Sequence, residues 1–241
     1  MVHDDFGKRM KTYENSYRFT LPRRMPVILR IDGCHFHTFT KGMDKPFDDK
    51  LIEAFWETCK FLGENIMGAK LIYHQSDEIS ILITNYDTIQ TDSWFSNNLQ
   101  KMASVSASMA AAKFNEVIRK SYSDKELAFF DSRAWIIPQD EVNNYFTWRQ
   151  QDASKNSISM AAFANFAHKD LHGLSGNQLQ EKLFSEKGIN WDKFPTWKKR
   201  GACIIKKEYL KENAIRRRWE TDLDIPLFSK DRNYVERFVY L

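Results

Sequence analysis

Acidic residues stand where hydrophobic runs of this sequence stop. Asp32 closes the apolar run 27–31, and Asp77 and Glu78 separate two further apolar runs. Burying an unpaired charge is costly, so these carboxylates must be solvated, paired with a basic group or bound to a cation. Mg²⁺ prefers hard oxygen ligands and keeps open positions for phosphates. If the fold brings the three acids together, the sequence predicts a site for divalent metal and phosphate.

Composition indicates a folded, soluble protein. The chain has 241 residues, of which 42% are hydrophobic, enough for one sizeable core or a core with a dependent second lobe. No apolar stretch approaches the roughly 20 residues that cross a bilayer, and residues 1–5 lack an export pattern. Cys34, Cys59 and Cys203 are odd in number and scattered, which favours free thiols in a reducing compartment. We expect a cytoplasmic location and no membrane partner.

One segment is strongly basic. Residues 193–218 contain ten lysines and arginines against two glutamates. Trp197, Tyr209 and Trp219 lie within or beside this segment. Basic side chains neutralise phosphates and aromatic rings stack on exposed bases, so the segment is typical of a polyanion-binding surface. A solvated charged face is an equally good interpretation of the sequence.

The hydrophobic pattern predicts six elements before Pro138. A helix is indicated between Asp48 and Gly68, because apolar residues recur there at helical spacing. Extended apolar runs predict strands, and two of them flank Ser76 to Glu78 as a β-hairpin. The predicted elements are a strand at 27–31, a helix at 48–68, strands at 70–75 and 79–84, a helix at 93–120 and a strand at 133–137.

This order predicts an α+β protein with the ferredoxin-like, split βαβ arrangement. In that topology the first and third strands lie antiparallel at the centre of the sheet. The end of one therefore abuts the start of the other, which brings Asp32 to Asp77 and Glu78. We expect residues 1–138 to form a palm-like catalytic domain and residues 139–241 a mostly helical, basic C-terminal lobe packed on it.

Paired aspartates holding two Mg²⁺ ions are the usual device for nucleotidyl transfer, because the ions activate a 3′-hydroxyl and neutralise the departing pyrophosphate. Asp32 and Asp77 are the candidate ligands, and the Gly33 carbonyl can approach a cation because glycine has no side chain. Asp-Gly is also an ordinary turn dipeptide, but its place opposite a second acidic cluster favours the functional interpretation. The main-chain amides that can cradle a triphosphate belong to Cys34, His35, Phe36 and His37.

Other residues near these acids carry two interpretations. Glu78 is a candidate catalytic residue together with Asp32 and Asp77. Side chains alternate along a strand, so Glu78 should not face the same metal as Asp77 unless the hairpin is distorted; otherwise it supports the ligands. Ser76 can bond a phosphate oxygen or its own backbone. His37 is better read as a neighbour of a nucleotide than as a zinc ligand.

Several basic residues are candidates for phosphate contacts. They are Lys41, Lys45, Lys101, Arg133 and Arg149. The two arginines are embedded among apolar residues and therefore need partners, either a phosphate or a structural carboxylate. For Arg149 we favour a structural carboxylate such as Asp152.

Taken in order, six short motifs resemble the tRNA(His) guanylyltransferase family. The motifs are Arg30-Ile31-Asp32-Gly33 with Phe36, Lys45-Pro46, Ser76-Asp77-Glu78, Phe130-Asp131-Ser132-Arg133, Trp148-Arg149-Gln150-Gln151-Asp152 and Asn156. The resemblance implies a polymerase-like palm that adds nucleotides in the 3′ to 5′ direction. It implies magnesium bound by Asp32, Gly33 and Asp77, with a nucleoside triphosphate over residues 32–37 and near Ser76.

The mechanism that the resemblance implies has two steps. ATP or GTP activates the 5′-phosphate of a tRNA, and the 3′-hydroxyl of an incoming nucleotide then displaces the activating group. Two metal ions serve both steps, and family members are commonly homotetramers.

Two departures from the eukaryotic family pattern point to a subgroup. Residues 153–157 replace a histidine followed by Ile-Asn-Asn, and Asn97 and Asn98 replace paired arginines before Lys101. The chain therefore resembles the bacterial, archaeal and phage members, which repair 5′-truncated tRNAs by templated addition, rather than enzymes strictly selective for G addition to tRNA(His).

Two alternatives stay open at this stage. A nucleotide cyclase or cyclic-dinucleotide synthase shares the same palm and strand-end carboxylates, although the basic, aromatic segment argues against a purely small-molecule substrate. A non-catalytic RNA-binding module would place aromatic residues on the central strands. Tyr73 is the only aromatic residue there, which disfavours that module.

Overall fold

The computed structural model describes residues 3–212 and 214–240, and a six-stranded antiparallel sheet organises them. The strand order across the sheet is β4-β1-β3-β2-β5-β6. The strands are β1 Val27–Cys34, β2 Ala69–Gln75, β3 Glu78–Ile83, β4 Phe129–Ile136, β5 Ala202–Lys211 and β6 Ala214–Asp222.

Eight α-helices accompany the sheet within the described ranges. They are α1 His3–Asn15, α2 Phe36–Phe39, α3 Asp49–Asn65, α4 Leu99–Ile118, α5 Val142–Asn165, α6 Gly176–Lys187, α7 Thr196–Arg200 and α8 Asn233–Glu236. In this part of the chain, no helix combines the length and apolarity that crossing a membrane requires.

Among the first four strands, which lie side by side as β4-β1-β3-β2, the central pair is β1 and β3. They pair antiparallel from Val27 opposite Ile83 to Asp32 opposite Glu78. The antiparallel central pair expected from the order of elements is confirmed. Because the register is continuous, the last residues of β1 lie beside the turn that precedes β3.

One face of the sheet is covered by α3 and α4. Asp48 caps α3 by accepting a hydrogen bond from the Leu51 amide at 2.9 Å, and Phe55, Cys59 and Leu62 are fully buried against the sheet. The predicted helix is confirmed there because a strong cap coincides with one continuous apolar stripe. All three cysteines are free thiols, as expected.

The second long helix begins later than predicted. A short 3₁₀ turn covers 94–97, and Phe95 and Ser96 have left-handed φ values of 49° and 51°, so the helix cannot run through them. It starts after Asn98, whose side chain accepts a hydrogen bond from the Lys101 amide at 2.9 Å. Asparagine is a strong N-cap residue, which explains the new start.

The other face packs against α5 and the C-terminal segment. Ile28, Tyr73 and Leu82 form a core there with Phe146 of α5 and Phe228. This second core fixes α5 across β3 and β2. A smaller cluster joins the end of α5 to α6.

The C-terminal part is less helical than expected, because residues 202–222 form the strands β5 and β6. Four residues of β5, from Ala202 to Ile205, are buried and pair with β2. The sheet therefore continues past the predicted boundary at residue 138. Alternate residues of this short apolar run serve the two cores, Cys203 one face and Ile204 the other. The charged residues that follow extend the hairpin into solvent.

A substitution at Gly63 would test how α3 packs against β6. A Cβ at Gly63 would lie 2.5 Å from the Trp219 ring. Gly63→Ala is therefore expected to lower the melting temperature, although alanine favours helix by about 1 kcal/mol. Gly176→Ala is the control, because nothing lies within 4 Å of its Cβ position. A melting temperature for Gly63→Ala equal to or above that of wild type would contradict this packing.

Candidate active site

Asp32 and the Ser76-Asp77 turn meet at one edge of the sheet. The Gly33 amide donates a hydrogen bond to the Asp77 carbonyl at 3.1 Å, which ties the end of β1 to the turn before β3. Both aspartates are half-buried. Among the described residues, no lysine or arginine forms an ion pair with either carboxylate. The structure thus brings together two remote acids and provides no cation for them.

The electrostatics of this pair are unfavourable in the protein alone. Burial raises the pKa of Asp77 above its usual value, and the neighbouring Asp32 carboxylate raises it further. A hydrogen bond from Ser76 works in the opposite direction. Ionised Asp77 therefore costs folding free energy until a positive charge arrives.

The metal ligands predicted at this edge are all oxygen donors. The described residues contain no group of three or more His, Cys, Asp or Glu side chains that could hold an ion. Two carboxylates and the Gly33 carbonyl remain. This set suits Mg²⁺, which commonly binds through one or two carboxylates, water and substrate phosphates, and does not suit zinc.

Glu78 stands opposite Asp32 in the sheet register, and an arginine holds its side chain. Arg149 of α5 binds both of its carboxylate oxygens, at 2.7 and 2.6 Å, and Ser80 donates to it at 3.1 Å. Arg149 also bonds Asp152 at 3.0 Å, so the structural pairing favoured for this arginine is confirmed. The arrangement differs from a catalytic Glu78, because strand alternation points its side chain at α5 and a buried arginine occupies it.

The loop after Asp32 turns tightly into the short helix α2. A Cβ at Gly33 would lie 2.2 Å from the Phe36 ring, so only glycine fits. His35 adopts a left-handed φ of 56°, and the single turn of α2 follows. Phe36 is buried among the aromatic residues of α3, α4 and β4, which anchors the loop, while His35 and His37 are exposed and Cys34 is half-buried.

A cleft of about 570 Å³ opens beside the turn. Five of the residues predicted to bind a nucleotide line it: Phe36, His37, Lys45, Ser76 and Asp77. Six other predicted residues do not line it: Asp32, Gly33, Cys34, His35, Lys101 and Arg133. Clefts of this size, mostly apolar with a few convergent polar groups, are typical of small-molecule sites.

The sequence did not indicate that the walls of this cleft form one aromatic surface. Trp56 of α3 meets Trp197 of α7 edge to face, with ring centroids 5.4 Å apart, and Phe47 and Asn156 also line the cleft. Helical spacing marked Trp56 as a core residue. Only the clustering of aromatic residues in 47–56 and 191–197 could have indicated a shared wall.

Lys101 and Arg133 lie outside the cleft. Lys101 is exposed at the start of α4, where its ammonium group lies 5.9 Å from the Phe95 ring centroid. Arg133 is on edge strand β4, bonds Asp131 at 3.1 Å and stands opposite Arg30. Arg30 carried no separate role in the sequence analysis, because it was read only as part of a motif.

Comparison with known proteins assigns the chain to a family. The family model for tRNAHis guanylyltransferase matches residues 7–138. The chain belongs to the tRNAHis guanylyltransferase family. The resemblance seen in the sequence is confirmed, and so is the expectation of an enzyme, because this family is one of nucleotidyltransferases.

Similar proteins come from bacteria and from yeast. A bacterial tRNA(His) guanylyltransferase-like protein in complex with ATP is 68% identical, covers 98% of this chain and 99% of its own, and superposes with a TM-score of 0.94. One in complex with GTP is 64% identical, with coverages of 99% and 100% and a TM-score of 0.89. The tRNA(His) guanylyltransferase of Saccharomyces cerevisiae is 28% identical over 209 residues, 78% of this chain and 86% of that protein.

The repulsion at Asp77 predicts an unusual stability effect. Asp77→Asn is expected to raise the melting temperature in EDTA at pH 7, because it removes a carboxylate whose pKa is raised by folding. The folded protein binds the Asp77 proton more tightly than the unfolded chain does, so the gain should shrink as the pH falls through the raised pKa. Thermal melts over a pH series measure this. Asp231→Asn, at an exposed side chain, is the control, and a lower melting temperature for Asp77→Asn would refute the electrostatic account.

Proposed function

We propose that this protein is a magnesium-dependent nucleotidyltransferase that adds nucleotides in the 3′ to 5′ direction to tRNA 5′ ends. The observation that carries the proposal is the meeting of Asp32 and Asp77, joined by the Gly33 hydrogen bond, beside a cleft of nucleotide size. The solved complexes of similar bacterial proteins with ATP and with GTP support both nucleotides as substrates.

The sheet is proposed to act as a ferredoxin-like polymerase palm. Its first four strands alternate with α3 and α4 in the order β-α-β-β-α-β and lie side by side as β4-β1-β3-β2. This arrangement supports the palm because it presents strand-end carboxylates at one edge. The strands β5 and β6 extend the same sheet, so the accessory lobe is proposed to share the palm rather than to stand apart.

Each residue of the site then has a task. Bound Mg²⁺, held by Asp32, Asp77 and the Gly33 carbonyl, would supply charge neutralisation for phosphate oxygens and activation of a hydroxyl. The amides of 34–37 and the Lys45 ammonium bind the triphosphate.

The cleft and its turn hold the rest of the nucleotide. Trp56 and Trp197 hold the nucleobase and exclude water from the cleft. Ser76 lines the same cleft and offers a hydroxyl to a phosphate oxygen.

The reaction has two balanced steps. In the first, an oxygen of the tRNA 5′-phosphate attacks the α-phosphorus of ATP or GTP, and pyrophosphate leaves. In the second, the 3′-hydroxyl of an incoming nucleotide attacks the activated 5′-phosphorus, loses its proton, and the activating nucleoside monophosphate leaves. Both steps develop charge on phosphate oxygens beside Asp32 and Asp77, where a cation is electrostatically favoured.

Templated repair of truncated tRNAs is the favoured activity within this class. Asn97 is buried and donates to the carbonyls of Leu21 and Pro22, and Asn98 caps α4. Both side chains form hydrogen bonds with backbone groups here, so these positions do not offer the phosphate contacts that paired arginines would make. This supports a substrate range wider than tRNA(His), with G addition to that tRNA as a special case.

A homotetramer is the proposed assembly. The helix α1 exposes a row of apolar residues at helical spacing, with Phe6 61% and Tyr13 65% accessible. Exposed apolar stripes of this kind commonly mark contacts between protein chains.

The function is tested with labelled GTP, Mg²⁺ and a tRNA that lacks its first nucleotide. Extension at the 5′ end is expected, and Asp32→Ala and Asp77→Ala should each abolish it while leaving the circular-dichroism spectrum unchanged. Asp140→Ala, at an exposed carboxylate away from the cleft lining, is the matched control. A cyclic nucleotide product would instead support a cyclase, and full activity of either active-site variant would remove the metal assignment.

The β5–β6 hairpin is the proposed contact for the tRNA backbone. Lys207 and Tyr209 stand opposite Arg218 and Arg216 and so share one face, on which the Arg218 guanidinium lies 4.9 Å from the Tyr209 ring centroid. Arg217 points to the other face and bonds Glu208. The hairpin thus carries a basic, aromatic face of the kind that binds polyanions.

Reversing charge on this face should weaken tRNA binding. Arg216→Glu combined with Arg218→Glu is expected to lower tRNA affinity and to reduce the slope of log affinity against log salt by about 2, since each lost phosphate contact removes about 0.9. Fluorescence anisotropy over a salt series measures both. Arg217→Glu is the control and should change the slope less. An unchanged slope in the double variant would show that this face of the hairpin does not contact tRNA phosphates.

A further inference from the structure

We propose that Trp148, together with Arg30 and Arg133, forms the surface that receives the 5′-terminal nucleotide of the RNA. This inference rests on the proposed function and assigns a binding site for its second substrate. The surface is separate from the nucleotide cleft, whose lining contains Asp77 but none of Trp148, Arg30, Arg133 and Asp32.

Part of the sheet face next to Asp32 is uncovered. Arg30 pairs with Arg133 and Asp32 with Asp131 across β1 and β4, so these four side chains point to one side of the sheet. It is the side that packs on α5, because Ile28 belongs to the same core as α5. The helix leaves the β4 edge open, and the side chains of Arg133 and Asp131 are each 53% accessible.

Trp148 stands over the flank of this open face. It lies on α5 and is 53% accessible, although it is one of the largest apolar side chains. Its ring meets Tyr145 edge to face at 6.0 Å, and Tyr145 in turn meets Trp135 of β4 at 5.7 Å. These ring contacts place Trp148 on the face of the sheet where the Trp135 side chain of β4 lies.

Arg149 covers one face of the Trp148 indole and holds the ring in place. The Arg149 guanidinium lies 4.4 Å from the Trp148 ring centroid, and Glu78 binds Arg149 through two hydrogen bonds. The tryptophan is therefore fixed relative to the residue opposite Asp32 in the sheet register. Its accessible face is free for a second stacking partner, and a nucleobase is the partner that such platforms take.

The arginines Arg30 and Arg133 on this face favour binding of an anion. The Arg30 side chain forms no hydrogen bond or ion pair within the described ranges, and its Nε is buried without a partner. It stands directly opposite Arg133, and like charges in that position destabilise a sheet. Arg133 has Asp131 as its ion-pair partner. A phosphate between the two arginines would give Arg30 a partner and offset its repulsion with Arg133, because guanidinium groups bind phosphate through paired hydrogen bonds.

The position of this surface explains the choice of RNA over another polyanion. It adjoins Asp32, while the nucleotide cleft adjoins Asp77, so the two carboxylates lie between the two substrates. A terminal phosphate on Arg30 and Arg133 would place its phosphorus beside the atoms that react. The terminal base would then stack on Trp148.

The test measures the affinity for RNA and the KM for nucleotides separately, in variants with one substitution each. Trp148→Ala is expected to raise the KM for 5′-truncated tRNA, and its Kd by fluorescence anisotropy, by about tenfold, the size of a lost base stack. The KM for ATP and GTP should not change. Trp148→Phe should restore most of the affinity. Phe184→Ala, at a 56% accessible aromatic residue on α6, is the matched control and should leave RNA binding unchanged.

The arginines have their own readout. Wild type is expected to bind RNA with a 5′-phosphate more tightly than RNA with a 5′-hydroxyl, and Arg30→Gln and Arg133→Gln should each reduce this preference.

Three outcomes would overturn the inference. They are unchanged RNA affinity in Trp148→Ala, a changed molecular mass of that variant by light scattering, which would place Trp148 between copies of the chain, and an unchanged phosphate preference in both arginine variants. A wild type that binds RNA through Trp148 but never extends it would contradict the proposed function alone.

Discussion

One hydrogen bond, from the Gly33 amide to the Asp77 carbonyl, joins the two chain segments on which the site depends. It holds two half-buried carboxylates together where no basic side chain of the described residues neutralises them. Folding raises the pKa of Asp77, so the protein carries a local electrostatic cost. A site that is unfavourable alone and favourable with a cation is the physical basis for the proposed metal-dependent chemistry.

The sheet register places the two carboxylates between two different surfaces. Glu78, the third of the acids at the strand ends, is bound by Arg149, which anchors α5 over the sheet and leaves Asp32 and Asp77 as the proposed metal ligands. The cleft proposed to bind the nucleotide adjoins Asp77, and the open face with Arg30 adjoins Asp32. Two substrates can therefore reach the same pair of carboxylates from different directions, as joining two nucleotides requires.

The convergence of the acids could be predicted from sequence, because the order of elements sets which strand ends meet. The start of α3 could be predicted for a local reason, the Asp48 cap. The hairpin at 202–222 could not, since four buried residues followed by charges give too short an alternation to indicate a strand. The aromatic wall of the cleft and the partner of Glu78 were also missed, because Trp56, Trp197 and Arg149 act across three elements far apart in sequence.

The most direct test of the central claim is binding of Mn²⁺, as a paramagnetic substitute for Mg²⁺, followed by electron paramagnetic resonance in the presence of ATP. Wild type should bind the ion, and Asp32→Asn and Asp77→Asn should each lose most of that binding while still folding. Equal binding of Mn²⁺ by wild type and both variants would show that the two carboxylates do not share a cation, and the account would be wrong.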